Sequence, residues 1–173
     1  MRTTAAESIG STRKGMDTGS LNDIFNYIPV DANLASAGQP RENQLRLIAD
    51  AGFEIVINLA LHDDPRYSLP DEAGAVRSLG MAYEHIPVIF NRPEEKDLLA
   101  FFATMDNYAG KKIFVHCAAN KRVSAFLGLY FAIRKNQDDE QAFALMRDVW
   151  EPDEIWKAFI DSMLKKHKRQ EIT

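Results

Sequence analysis

At 173 residues, with 46% hydrophobic and 27% charged side chains and a net charge of -4, the chain has the balance of a globular protein built around one core. That balance excludes a disordered chain, and the slight acidity excludes a general polyanion-coating role, so neither nucleic acid nor a membrane is an expected partner. A single cysteine excludes an intrachain disulfide, and residues 1–20 lack the apolar run of a secretory signal, so the cytoplasm is the expected compartment.

In chain order, residues 1–19 are rich in Ser, Thr and Gly and are expected to be disordered, which leaves 20–173 as one folded domain. Residues 34–39 read as a short strand closed by a turn. Pro40 opens a helix to about residue 51 whose Leu45, Ile48 and Ala49 share a face, and Gly52 ends it. Residues 54–59 are a short apolar run rich in β-branched side chains, hence a strand. A polar loop, His62-Asp63-Asp64-Pro65-Arg66, leads to a helix over about 70–79 that stops at Gly80. Residues 83–88 give the next strand, followed by Phe90-Asn91-Arg92-Pro93-Glu94 and a helix through Leu98, Leu99, Phe102 and Met105.

Residues 112–116 form a further strand, and 123–134 a helix that is apolar nearly all round and therefore central. Its apolar stretch falls short of the roughly 20 residues a bilayer span needs. Helices over about 141–149 and 153–166 finish the chain, with Trp150 and Trp156 as packing residues and the basic run Lys165-Lys166-His167-Lys168-Arg169 as a solvated helix end. Strands alternating with helices imply an α/β fold: a mostly parallel central sheet of about four to five strands, helices on both faces, and a helical C-terminal part. Ligands bind such sheets beyond the carboxyl ends of the strands. The loops at 62–66, 90–94 and 117–124 are therefore expected to meet in one crevice.

The last of these loops carries the cysteine. A strand–loop–helix turn aims backbone N–H groups at a point above the helix start, where the helix dipole also favours negative charge. The same field favours the thiolate, which is the nucleophilic form, so Cys117 is a candidate nucleophile. The loop residues Ala118, Ala119, Asn120, Lys121 and Val123 would face the anion. The first two are small, and Asn120 tolerates the left-handed backbone that a tight anion loop requires. Arg122 offers a planar charged fork for an oxyanion, Ser124 a hydrogen bond to the sulfur, and His116 a means of orienting the loop.

The run Val115-His116-Cys117-Ala118-Ala119-Asn120-Lys121-Arg122-Val123-Ser124-Ala125-Phe126 resembles the signature of the cysteine-dependent protein tyrosine and dual-specificity phosphatases. Upstream, Ser36-Ala37-Gly38-Gln39-Pro40, Val56-Ile57-Asn58-Leu59, Asp71-Glu72 and Tyr83-Glu84-His85-Ile86-Pro87-Val88 resemble a bacterial branch of that superfamily related to the beta-lactamase-hydrolase-like proteins. The resemblance implies a protein tyrosine phosphatase-like fold and a phosphoric monoester hydrolase without a cofactor. Its substrate would be a phosphorylated protein or a small phosphate ester.

Two positions depart from the superfamily pattern. Where the arginine should stand there is Val123, and Arg122 comes one residue early, about 100° away around a helix. The guanidinium then reaches phosphate by a different route, or works jointly with Lys121, or serves a loop tuned to another anion. Where the general-acid aspartate should stand there is Asn91, which cannot protonate a leaving alkoxide, a loss worth about 10²–10⁴-fold in rate. Asp64 or Asp63 is a candidate substitute.

The shorter cysteine-to-arginine spacing resembles the rhodanese-like sulfurtransferases, which would put a persulfide on Cys117 and need no opposing acid. A phosphate-binding module without turnover is the third alternative. The four histidines show no metal-ligand spacing, and no metal is expected.

Overall fold

The computed structural model describes residues 19–168, so the disorder expected over 1–19 lies almost wholly outside the described residues. Five strands, β1 (Ile28–Asp31), β2 (Leu34–Ala37), β3 (Ile55–Asn58), β4 (Ala82–His85) and β5 (Ile113–His116), form one sheet in the order β1-β2-β5-β3-β4. Every pairing is parallel except that of β1 with β2. The edge strand β1 has no counterpart in the sequence reading. It contains Pro29, which withholds a ladder donor, and its side chains are at best half-buried.

The period-two alternation of the strands sorts their side chains into two cores. Ile55, Ile57, Ile113 and Val115 face α3 (Glu95–Asn107), α4 (Lys121–Leu129) and the C-terminal helices α5 (Asp139–Ala142), α6 (Ala144–Val149) and α7 (Glu154–His167). Ala35, Ala37, Val56 and Phe114 face α1 (Glu42–Asp50) and α2 (Glu72–Ser78), which contribute Leu45, Ile48 and Val76. Among the described residues no helix is long and apolar enough to cross a membrane.

This layering creates the site. The chain leaves β2 and β3 toward helices on one face, but leaves β5, which lies between them, toward α4 on the other face. Neighbouring strands that part in this way open a gap at their carboxyl ends, and Cys117 sits in it.

Several boundaries differ from the sequence reading, each for a local reason. The strand at 83–88 ends at His85. Beyond it the N–H groups of Ile86 and Val88 still donate to Asn58 and Leu59 at 2.9 and 3.0 Å, but Pro87 has no N–H with which to continue the ladder. On α3 the buried stripe is Leu98, Phe101, Phe102 and Met105, while Leu99 is 44% exposed because it falls off that face. Helix α4 begins two residues early, at Lys121, and passes into a π-helical turn over Tyr130–Arg134. The helix expected over 141–149 is split at Phe143, whose ring lies so close to Gly128 that a Cβ there would collide with it. The basic C-terminal run is not merely solvated: Lys166 and His167 bond Glu95 at 2.6 and 2.9 Å, and Lys168 bonds Asp139 at 2.8 Å.

Candidate active site

Cys117 is the first residue after β5, and its side chain is 1% exposed. Its own N–H donates to Ala37 O at 3.3 Å. The next three carbonyls are each held by a donor from outside the loop's own peptide units. Cys117 O takes His116 Nδ1 at 3.3 Å, Ala118 O takes the Gln39 N–H at 3.0 Å, and Ala119 O takes Asn26 Nδ2 at 3.0 Å. In a planar trans peptide the N–H points opposite to the C=O. Anchoring the first two carbonyls therefore turns the N–H groups of Ala118 and Ala119 the other way, as an anion turn requires.

Asn120 closes the loop in the left-handed region at φ 65°. Its Nδ2 donates to Asn26 O and Ser36 Oγ, both at 3.0 Å. Gly38 allows β2 to approach this closely, since a Cβ there would lie 2.7 Å from Ala118 O.

Behind the loop is a buried polar cluster. The His116 ring is fully buried, with Nδ1 on Cys117 O and Nε2 2.9 Å from Glu72 Oε2. Glu72, in the first turn of α2, also accepts from Gln39 Nε2 at 2.6 Å and Asn58 Nδ2 at 3.0 Å, and Asn58 reaches Tyr83 Oη at 3.1 Å. Burial alone would push the Glu72 carboxyl up. The His116 charge and the hydrogen bonds from His116, Gln39 and Tyr83 outweigh it and bring it to about 2. Tyr83 moves the other way, raised by burial and by the Glu72 charge.

The residues singled out by motif are not all where the motif implied. Arg122 does not fork toward the loop: its Nη1 donates to Val88 O at 2.8 Å and its guanidinium lies 5.9 Å from the Phe90 ring, because the early register points it at the segment after β4. Ser124 is fully buried, and its hydroxyl donates to Lys121 O at 3.1 Å within the helix rather than to the sulfur. Val123 is core. Lys121 is exposed, its ammonium 5.5 Å from the Trp150 ring and 6.0 Å from that of Phe90.

Asn91 is exposed in a turn closed by Arg92 N–H on Ile89 O at 3.0 Å. Asp64 caps the short turn at Pro65–Tyr67, accepting from the Arg66 N–H at 3.0 Å and pairing with its guanidinium at 2.7 Å. The Arg66 hydrogen bonds hold its carboxyl below the usual carboxylate range, the opposite of what a proton donor near neutral pH requires.

The loop at 62–66 engages itself and its neighbours: Asp64 pairs with Arg66, the His62 ring lies 4.3 Å from that of His85 in a tilted contact, and the loop borders a cavity of about 510 Å³ lined by His62, Ser68, Asp71 and Glu72. Besides Asn26 and Ser36, the segments that contact the Cys117 loop and its helix start include Ala37 to Gln39, Leu59, whose N–H donates to His116 O at 2.9 Å, and Val88 to Phe90. Trp156, a fully buried core residue, braces the last of these by donating Nε1–H to Phe90 O at 2.7 Å. Glu72, Gln39 and Asn26 received no role from the sequence. The only available signal was a carboxylate at a helix start, a feature that capping explains equally well.

No protein-family profile matches the chain. Over 119 residues, 66% of its length, it is 29% identical to the beta-lactamase hydrolase-like protein of Xylella fastidiosa (strain Temecula1 / ATCC 700964), of which it spans 27%. A crystal structure of a DUF442 protein from Shewanella putrefaciens CN-32, named there as a candidate phosphatase, superposes with a TM-score of 0.76 at 34% identity, covering 85% of this chain and 96% of that one. The fold also matches PTPMT1 in complex with PI(5)P, with a TM-score of 0.70 at 17% identity over 83% of this chain and 97% of that one.

Proposed function

The chain belongs to the DUF442 family and has the protein tyrosine phosphatase-like fold, and on that premise we propose that it hydrolyses phosphate monoesters with Cys117 as nucleophile. The observation that carries this is the set of outward-held carbonyls around Cys117, which leaves N–H groups of Ala118 and Ala119 turned inward at the start of α4 to receive phosphate oxygens. The thiolate forms a sulfur–phosphorus bond as the ester oxygen–phosphorus bond breaks. Water then cleaves the thiophosphate, releasing inorganic phosphate and restoring the thiolate.

Lys121, exposed at the mouth of the loop, supplies positive charge to the incoming phosphate, while Arg122 ties the loop's helix to Val88. With Asn91 at the family's general-acid position, the ester oxygen leaves without a side-chain proton, so aryl phosphates with acidic leaving groups are the favoured class. The phosphoinositide held by PTPMT1 and a phosphorylated protein both belong to the wider class of phosphate esters.

Turnover of p-nitrophenyl phosphate by the native chain, abolished in Cys117→Ser, is the expected result; equal turnover in that variant overturns the mechanism. Phosphate recognition without turnover is a second reading, favoured by the commitment of Arg122 to Val88 O. It requires phosphate-ester binding that survives Cys117→Ala, together with no turnover in the native chain.

A further inference from the structure

The buried pair beneath the loop has a chemistry of its own. His116 Nδ1 faces a carbonyl, which can only accept, and Nε2 faces Glu72, which an ionised carboxylate makes an acceptor as well. Satisfying both requires an N–H on each ring nitrogen, which makes the ring an imidazolium one peptide away from the thiol. Glu72 is arranged for this task. Its other hydrogen bonds, from Gln39 and Asn58, fix the carboxylate without competing for its charge, and the side chains of Glu72 and His116 are both fully buried.

We propose that Glu72 is a positioning residue for the Cys117 loop: it holds His116 with both ring nitrogens protonated, which pins the Cys117 carbonyl, aims the Ala118 N–H at the anion and keeps a positive charge beside the thiolate. The proposal rests on Cys117 being the nucleophile. Other charged and titratable groups neighbour this cluster: Tyr83 and His85 on β4, with the His62 ring in tilted contact with the latter, while Lys121 and Arg122 at the start of α4 are engaged with Trp150 and Val88 O. Arg77 on α2 adds positive charge near Tyr83. None of them replaces Glu72, because none is within hydrogen-bonding distance of His116.

The chain has one cysteine, so alkylation by iodoacetamide followed by intact mass reads the thiol directly. In Glu72→Gln the pH profile of alkylation is expected to move upward by about one pH unit, which is about a tenfold slower reaction on the acidic limb of the profile and an equal rate on its alkaline plateau. In a His116→Gln background the same change should have no further effect, because Glu72 acts through the ring. A folded Glu72→Gln protein with an unshifted profile, or an equal shift in both backgrounds, overturns the proposal.

Should that variant not fold, the wild-type chain labelled with ¹⁵N-histidine decides the matter. Both nitrogens of the His116 ring should carry protons at pH 7, and a neutral tautomer there overturns the proposal. These measurements read the thiol and the ring, not turnover, so a native chain inert toward aryl phosphates overturns the catalytic assignment separately.

Discussion

Arg122 Nη1 and the carbonyl oxygen of Val88 lie 2.8 Å apart, in a bond that joins the first turn of α4 to the segment leaving β4. The early position of the arginine thus produces a structural tie where the superfamily pattern implied a phosphate clamp. Removing it in Arg122→Ala leaves a buried acceptor bare, at a cost of about 1–3 kcal/mol. The urea midpoint should fall with the slope of the transition unchanged, and Arg122→Lys should recover part of the loss.

Trp156 holds the same segment from the other side, through its Nε1–H on Phe90 O at 2.7 Å. Trp156→Phe keeps most of the ring packing and removes the donor. Thermal unfolding should report a loss of about 1–3 kcal/mol.

Gly38 is where β2 meets the loop. In Gly38→Ala the new methyl group would sit 2.7 Å from Ala118 O and 3.0 Å from Phe25 O, both backbone atoms. The loop must shift to relieve the contact, so a destabilisation of about 1–3 kcal/mol is expected, with a several-fold change in the rate of Cys117 alkylation at fixed pH.

Asn120 separates backbone from side-chain effects. Both Asn120→Gly and Asn120→Ala lose the bonds to Asn26 and Ser36, but only alanine must be forced to φ 65°. Alanine should therefore be the less stable by about 1–2 kcal/mol in chemical denaturation.

Glu72 gives a pH signature. Its carboxyl lies at about 2 in the folded chain against 4.5 in its ordinary state, a depressed value. The unfolded chain therefore takes up the proton first as pH falls, and the stabilisation from Glu72 is complete above about pH 5 and lost between about 4.5 and 2. The stability difference between wild type and Glu72→Gln should shrink as the pH falls from about 4.5 toward 2, as followed by urea unfolding across that range.

Much of the fold was legible because its signals are local. The β-branched run at 54–59, the glycines at 52 and 80 that end helices in left-handed turns, and the alternation of strand with helix mark out β3, α1 and α2 without reference to tertiary structure. Strand β1 was not legible, since it is four residues long, contains Pro29, and has only Ile28 and Val30 half-buried.

Within the site, the placement of Cys117 between β5 and α4 followed from sequence, as did the left-handed Asn120. The direction of Arg122 did not, because it depends on where Val88 arrives from another crossover. Asp64 misled for a related reason: an aspartate before Pro-Arg is equally suited to capping its own turn, and that is what it does.

Supports of the Cys117 loop come from distant parts of the chain: Asn26 reaches the Ala119 carbonyl across 93 residues, and Glu72 reaches the His116 ring across 44. An excised peptide carrying the whole motif would lack every one of these long-range struts and would have no reason to keep the turn. The loop's geometry is therefore a late product of assembly, complete only when both ends of the sheet are in place. In practice, the lone thiol is a built-in gauge of native population, its chemistry changing when any of these remote joints opens.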